Sequence, residues 1–600
     1  MRVGPFSGEK VEVAKPKVRA QLLEDGSAIV YYEPEKPVLS RSGDDCVVAL
    51  CDQWFLDYGE TEWRALTEKC LEQLEVYMPE MRRLFAATLA WLRQWACSRS
   101  YGLGSRLPCD QAYLIESLSD STIYMAYYTV AHILQGGVLD GGPGGTSSKH
   151  GITAADMTND VWDWVFKKDA PMPTGSKISE ETLRLMRREF RYFYPFDLRV
   201  SGKDLVTNHL SFSLYNHTAM WADEPAMWPR SMRANGHLQL NCQKMSKSTG
   251  NFKTLVQAVE EYGADAMRFT LAIAGDTHED ANFEEATANK MILRLFIELE
   301  WYRDVAGALE RGELRTGPAN ERFADQLFAA QIDSAIAQTR AAYDRLMFRE
   351  AMLHGFYTLQ NARDAYRDMC GERGNMHADL TRRFLEVQVL LLQPITPHYC
   401  EYIWGDVLKR SGSVLRASFP TPSKAVDESL IAAGEYFQAT VHDFRMTLIA
   451  QNKPKKGKKA PADAPKPAKP TTATVWVARE YPAWQRAIAD ALAELHAAEG
   501  KLPDKGAALK AIKTKPEVQP HMKKAMPFVA KLVDTATTQG SDALKLELAF
   551  DEQRVLEDNV EYLRRTLELQ TIDIKPLADC GDNKVVDRAL PLKPVFLPQA

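Results

Sequence analysis

One stretch of this chain can bury nothing, and it divides the rest. Residues 451–470 carry seven lysines against one aspartate, spaced by proline, alanine and glycine. Such a composition offers no apolar side chain large enough to enter a core, and its like charges repel, so an extended disordered linker is expected. The lysines could attract RNA phosphates without sequence preference, although solubility alone accounts for them. Single hydrophobic cores stop growing at about 250–300 residues, so a 600-residue chain with a long part before this linker must hold several domains. A content of 45% apolar and 26% charged residues fits ordinary folded domains. The formal charge of -6 hides the lysine cluster, and a net acidic protein still holds RNA through a basic face.

The nine cysteines include no Cys-x-x-Cys pair, and no histidines stand at zinc-binding spacing. Reduced thiols in a cytoplasmic protein without structural zinc are expected. No apolar run approaches the roughly 20 residues of a membrane span, and the N-terminus lacks a secretory pattern. Carboxylate or Cys/His clusters that would suit a metal-dependent hydrolase or nuclease do not converge.

Along the chain, the Asp25-Gly26 turn introduces a strand pattern at Ser27 to Tyr32, and Cys46 to Leu50 reads as a buried strand. From Glu60 to Arg93 apolar residues recur at three and four, predicting two amphipathic helices broken near Pro79. Leu114 to His132 mixes small polar groups with tyrosines; at helical spacing Leu118, Ser121 and Tyr124 share a face suited to a pocket wall or to a core helix with satisfied hydroxyls. Gly136 to Gly151 reads as a loop.

The segment Leu198 to Val200 reads as a strand that delivers Gly202-Lys203-Asp204 into a helix carrying His209 and His217. A strand, a glycine turn and a helix N-terminus make the phosphate-binding geometry of a Rossmann half, because free backbone N–H groups face the crevice. A short strand near Leu238 follows, then Lys244-Met245-Ser246-Lys247-Ser248-Thr249-Gly250-Asn251, then helices over Leu255 to Tyr262 and Asp265 to Ala274. Two lysines three positions apart, in a loop of small residues, suit a mobile segment that brings paired charge to a polyphosphate. Lys-x-x-Lys in a polar turn also describes a plain solvated surface.

Beyond Glu284 the pattern is almost wholly helical: Ala288 to Ala306, Ala324 to Met347, Arg349 to Met369, Leu380 to Leu392, and another helix opening at Pro397. After the linker, Ala473 to Ala478, Leu544 to Phe550 and Thr571 to Lys575 alternate as strands, with an amphipathic helix over Glu552 to Leu567.

Lys244 to Ser248 resembles, letter for letter, the second signature of class I aminoacyl-tRNA synthetases, and its flanks resemble the leucyl-tRNA synthetases of the eukaryotic cytosolic and archaeal type. The Gly202-Lys203-Asp204 to His209 spacing and the Ser-Arg turn near Gly102 resemble further landmarks of that family. The resemblance implies an α/β Rossmann-type catalytic half, then an all-α helical bundle and a small α/β C-terminal domain. The implied domains are the tail of an inserted editing domain at 1–45, the second catalytic half at 46–285, an anticodon-stem bundle at 286–450, the linker at 451–472 and a tRNA- or partner-contacting domain at 473–600.

It further implies leucine–tRNA ligase activity: leucine is activated with ATP, supplied with Mg2+, and passed to tRNA(Leu). Lys244 and Lys247 are the implied catalytic residues. Gly202, Asp204, His209, Lys244, Met245, Ser246, Lys247 and Ser248 are implied at ATP, and Leu118, Ser121, Tyr124 and His209 in the amino acid pocket. His209 as an ordinary core histidine is the alternative. The implied partners are tRNA(Leu), leucine and other synthetases, with no membrane.

The family's first catalytic half brings a His-x-Gly-His element, and that element is not in this sequence. Lysines that stabilise a transition state act only when opposing groups are positioned. The chain alone is therefore expected to be inactive in adenylation, as a truncated product or as one part of a split enzyme with a companion chain. A non-catalytic tRNA-binding or scaffold protein is the rival reading.

Overall fold

The computed structural model describes residues 4–40, 43–102, 104–138, 148–246, 250–452, 469–502 and 504–599. Two compact units divide it, Met1–Ala234 and Asn235–Ala600. Most of the expected linker, residues 453–468, lies outside the described residues, as does much of the expected 136–151 loop.

In the first unit, the two helices expected between Glu60 and Arg93 form at Thr61–Gln73 and Pro79–Trp91. Glu60 caps the first by accepting from the backbone N–H groups of Glu62 and Trp63, and Pro79 starts the second where its missing N–H costs nothing. With Tyr124–Leu134, Asn159–Phe166, Glu180–Phe193 and Ser211–Met220 they enclose an aromatic core. Tyr58 stacks on Phe212 with centroids 4.9 Å apart and tilts against Tyr215 at 4.7 Å. The strands are short and paired in twos: Phe55–Asp57 with Gln94–Ala96, Ser98–Arg99 with Leu114–Ile115, and Arg199–Gly202 with Met232–Asn235.

Two expected strands of this unit do not form. Ala28 to Tyr32 is extended but unpaired, with Ile29 83% exposed, and Cys46 to Leu50 is exposed coil. Alternation identifies the face a strand would bury, but a strand also needs a neighbour for its N–H and C=O groups. Among the described residues this region offers a single bridge, between Leu39 and Asp45. A helix, Val11–Glu24, forms where only short pieces are expected.

The second unit opens with a three-stranded sheet in which Leu238–Leu240 pairs antiparallel with Gln243–Lys244 and parallel with Ala281–Phe283. Gly236 enters this sheet against the opposing backbone: a Cβ there would lie 2.2 Å from the Glu279 carbonyl oxygen, which no side chain tolerates. Helices Leu255–Tyr262 and Ala264–Ala274 follow within a residue of expectation. The bundle then runs through Glu285–Glu310, Phe323–Asp344, Phe348–Met352, the wide turn Leu353–Thr358, Leu359–Cys370, Ala378–Leu392 and Pro397–Tyr402. Phe328, Phe356, Phe384, Tyr302 and Tyr366 fill its centre.

Glu428–Asn452 leads to the C-terminal part. Thr472–Val477 is the central strand, parallel to Thr571–Pro576 and antiparallel to Val595–Gln599. Its burial alternates strictly, with Ala473, Val475 and Val477 inward. The strand expected at Leu544 to Phe550 is instead the turn Ser541–Lys545 followed by coil, because Leu544 packs into a separate helical core. That core is built by Ala483–Glu499, Lys505–Lys513 and Met522–Gln539, three helices absent from the sequence reading.

Several ion pairs cross the bundle interior. Arg363 lies over Trp301 at 4.2 Å and pairs with Glu298, both side chains nearly inaccessible. Removing Glu298 leaves the buried Arg363 with only the exposed Asp364 as counter-charge, and losing a buried partner costs about 3–5 kcal/mol. Glu298→Ala should therefore lose about that much stability in denaturant unfolding of this unit. Asp304→Ala, which breaks an exposed pair with Arg373, should leave the same transition unmoved.

Candidate active site

The first unit gathers one group of expected residues. Its strand Arg199–Gly202 passes directly into the short turn Lys203–Leu205, then a wide turn Val206–Leu210, then the helix Ser211–Met220. Gly202 keeps an ordinary extended φ of -82°, so no left-handed turn is involved. A Cβ at this position would sit 2.5 Å from the Asp204 carboxylate, which folds back over this backbone and would have to shift.

The wide turn carries His209 inward. Ser211 and Ser213 hold it by donating to the Val206 and His209 carbonyls at 2.6 and 2.9 Å. The imidazole is 3% exposed and stacks on Tyr124 at 5.8 Å, yet neither ring nitrogen meets a hydrogen-bond partner in good geometry. Burial pushes its pKa down, partly offset by the nearby Ser121 carbonyl. The Arg199 guanidinium covers Tyr124 at 4.8 Å. Ser121, Tyr124 and His209 thus form one cluster, with half-buried Leu118 one turn away, its carbonyl accepting from Ser121 at 3.4 Å.

His217, on the same helix, is the contrast. Tyr194 donates to its Nδ1, and its Nε2 reaches the Thr122 carbonyl at 2.9 Å, so the ring is neutral with the proton on Nε2. Burial pushes its pKa down to about 4. One histidine is a satisfied core group; the other is a buried imidazole whose nearby Ser121 carbonyl is not in good hydrogen-bond geometry.

The second unit holds the lysine loop. Asn241 and Cys242 turn the hairpin with φ of 50° and 62°, the left-handed pair that a two-residue turn needs and that asparagine tolerates. Cys242 is steadied there because its N–H donates to Asn282 at 2.7 Å. Met245 packs beside Leu240, Tyr262 and Phe283. Ser246 donates to the Asn251 carbonyl at 2.9 Å, and the Asn251 amide returns to the Lys244 carbonyl at 3.2 Å, closing the loop base. Lys244 is exposed, and among the described residues no carboxylate pairs with it. Lys247, Ser248 and Thr249 lie outside the described residues.

A network missed in the sequence surrounds this loop. Glu285 accepts from Asn241 Nδ2 at 2.8 Å, from Lys253 Nζ at 2.8 Å and from the Tyr262 hydroxyl at 3.0 Å. Lys253 also pairs with Glu261. These contacts, Lys253 first, hold the Glu285 carboxyl at about 2, while Glu261 and Glu285 raise the Lys253 ammonium well above its ordinary range. Asn241 in a hairpin position was the only hint the letters carried.

Three family models match the chain: "tRNA synthetases class I (I, L, M and V)" over residues 41–284, "Anticodon-binding domain of tRNA ligase" over 325–464, and "Leucine--tRNA ligase, RagD-binding domain" over 477–549. A cytoplasmic leucine–tRNA ligase of Pongo abelii is 48% identical over 596 residues, 99% of this chain and 50% of that protein. The chain is a homologue of the cytoplasmic leucine–tRNA ligases. The Arabidopsis thaliana ligase is 45% identical over 97% of this chain and 53% of its own length. The Aeropyrum pernix ligase is 38% identical over 74% and 45%. The chain spans about half the length of the leucine–tRNA ligases it matches. No helix among its described residues is long and apolar enough to cross a membrane.

Between the unfolded histidine value of about 6.5 and the folded value of about 4, the unfolded chain binds a proton that His217 refuses in the folded state. Its contribution is fully present above about pH 6.5 and is lost as pH falls towards 4; His209 adds in the same direction. The melting temperature should fall across that window, and His217→Gln should flatten the slope.

Proposed function

We propose that this chain supplies the second catalytic half of a leucine–tRNA ligase. The leucine carboxylate oxygen attacks the α-phosphorus of ATP, which enters with Mg2+; the bond to the β-phosphate oxygen breaks, and pyrophosphate leaves. Negative charge grows on the phosphates in that step, and Lys244 and Lys247 meet it. The Lys244 ammonium, with no carboxylate partner among the described residues, is worth most there, since a charge already paired has little left to give. The single observation that carries this reading is the Lys244 to Ser248 signature inside a chain 48% identical to a cytoplasmic leucine–tRNA ligase.

In this reading Met245, Ser246 and Ser248 shape the loop around ATP, and Gly202, Asp204 and His209 lie against adenosine and amino acid. Leu118, Ser121, Tyr124 and His209 receive the leucine side chain. The poorly satisfied ring of His209, which meets only the Ser121 carbonyl and that outside good geometry, supports that assignment, because an unsatisfied buried polar group costs about 1–3 kcal/mol. Leucyl transfer to tRNA(Leu) follows, with the bundle on the tRNA, a companion chain providing the first half, and the cytoplasm as the setting its relatives' names give. The 477–549 segment extends the reading to a protein partner of the kind its family description names, and other synthetases are further candidates.

Purified alone, the chain should give no leucine-dependent exchange of pyrophosphate into ATP. With the first half supplied in trans, exchange and aminoacylation should appear. Lys247→Ala should then cost about 10²–10³ in rate while tRNA binding stays intact. Absence of activity in every combination would instead favour the scaffold reading.

A further inference from the structure

We propose that Glu285 is a positioning residue for the lysine loop, tying both of its ends to one carboxylate. The inference deepens the catalytic reading of Lys244 and Lys247 and rests on it. Glu285 is the first residue of the helix Glu285–Glu310, the long rigid element that follows the sheet. Its Oε2 takes the Asn241 amide at 2.8 Å, at the turn where the loop segment begins. Its Oε1 takes the Lys253 ammonium at 2.8 Å, where the segment ends, and the Tyr262 hydroxyl at 3.0 Å. The Glu285 backbone N–H returns to Asn241 Oδ1 at 3.2 Å, so the asparagine is held from both sides.

Two of the three lysines on this stretch, Lys253 and Lys244, have opposite tasks. Lys253 is consumed by Glu285 and Glu261 and lies 5.3 Å from the Tyr262 ring centre. Lys244 has no carboxylate partner among the described residues. The geometry spends one ammonium to fix the base of the loop and leaves the next available. Ser246, Gly250 and Asn251 can then rearrange without moving the points from which the loop hangs. Fixed ends hold the Lys244 backbone in place, and displacement of a charged group by about 1 Å can cost about 10²-fold in rate.

Glu285→Gln keeps the size and removes the charge; Lys253→Met removes the partner; Glu300→Gln, on the same helix but paired outward with Arg303, is the control. The first readout is the rate of tryptic cutting after Lys244 and Lys247 in the full 600-residue chain, followed by mass spectrometry beside the melting temperature. Glu285→Gln and Lys253→Met should each raise that rate about fivefold at an unchanged melting temperature, as expected for local opening. The double variant should be no worse than either single one. The second readout is exchange with the first half in trans, where both variants should lose kcat about tenfold or more with KM for leucine unchanged. Unchanged cutting, or cutting that rises only as the whole chain melts earlier, would overturn the proposal. If the wild-type pair shows no exchange, the catalytic reading falls, and with it the purpose assigned to the anchor; the cutting rates still decide whether Glu285 holds the loop.

Discussion

A single carboxylate, that of Glu285, meets the side chains of Asn241, where a loop of small residues begins, and of Lys253, where it ends. Short-range bonds of this kind are strong when one partner is charged, and here both the entry asparagine and the exit lysine are engaged. The hairpin at Asn241 and Cys242 accepts left-handed backbone, and the capping box of Thr254 and Gln257 starts the next helix immediately after Lys253. The described residues on either side of the lysine motif are thus both held in place.

The first unit solves a different problem, that of keeping a polar group in an apolar place. His217 is buried and fully satisfied by Tyr194 and Thr122, so it stabilises the fold as a neutral ring. His209 sits eight residues earlier on the same continuous run, enclosed by Tyr124, with only the Ser121 carbonyl nearby and neither nitrogen bonded in good geometry. Folding around such a group is unfavourable unless something else is gained. The wide turn Val206–Leu210 is what rotates it into that position, and turns of this sort gather at functional sites.

Where residues speak for themselves, the sequence was readable. The helices around Pro79, those at Leu255–Tyr262 and Ala264–Ala274, and the bundle helices follow apolar spacing and caps that act within one element. The strands expected at Ser27 to Tyr32, Cys46 to Leu50 and Leu544 to Phe550 failed because pairing depends on a neighbour that local letters do not name. The lysine motif and the His209 spacing were legible because each lies within a short segment. Glu285 was not, since its carboxylate meets Asn241 forty-four residues away, and no periodicity reports such a contact. The tight approach at Gly236 was equally hidden: the glycine is visible, the Glu279 carbonyl against it is not.

The account stands on the ammonium groups of Lys244 and Lys247 meeting a polyphosphate. Amine-reactive footprinting of the chain combined with the first catalytic half, read lysine by lysine with and without saturating ATP and Mg2+, tests this most directly. Lys244 and Lys247 should be protected several-fold by ATP, while Lys253, already paired, and the distant Lys510 and Lys513 should label as before. Equal labelling of Lys244 and Lys247 with and without ATP would contradict it.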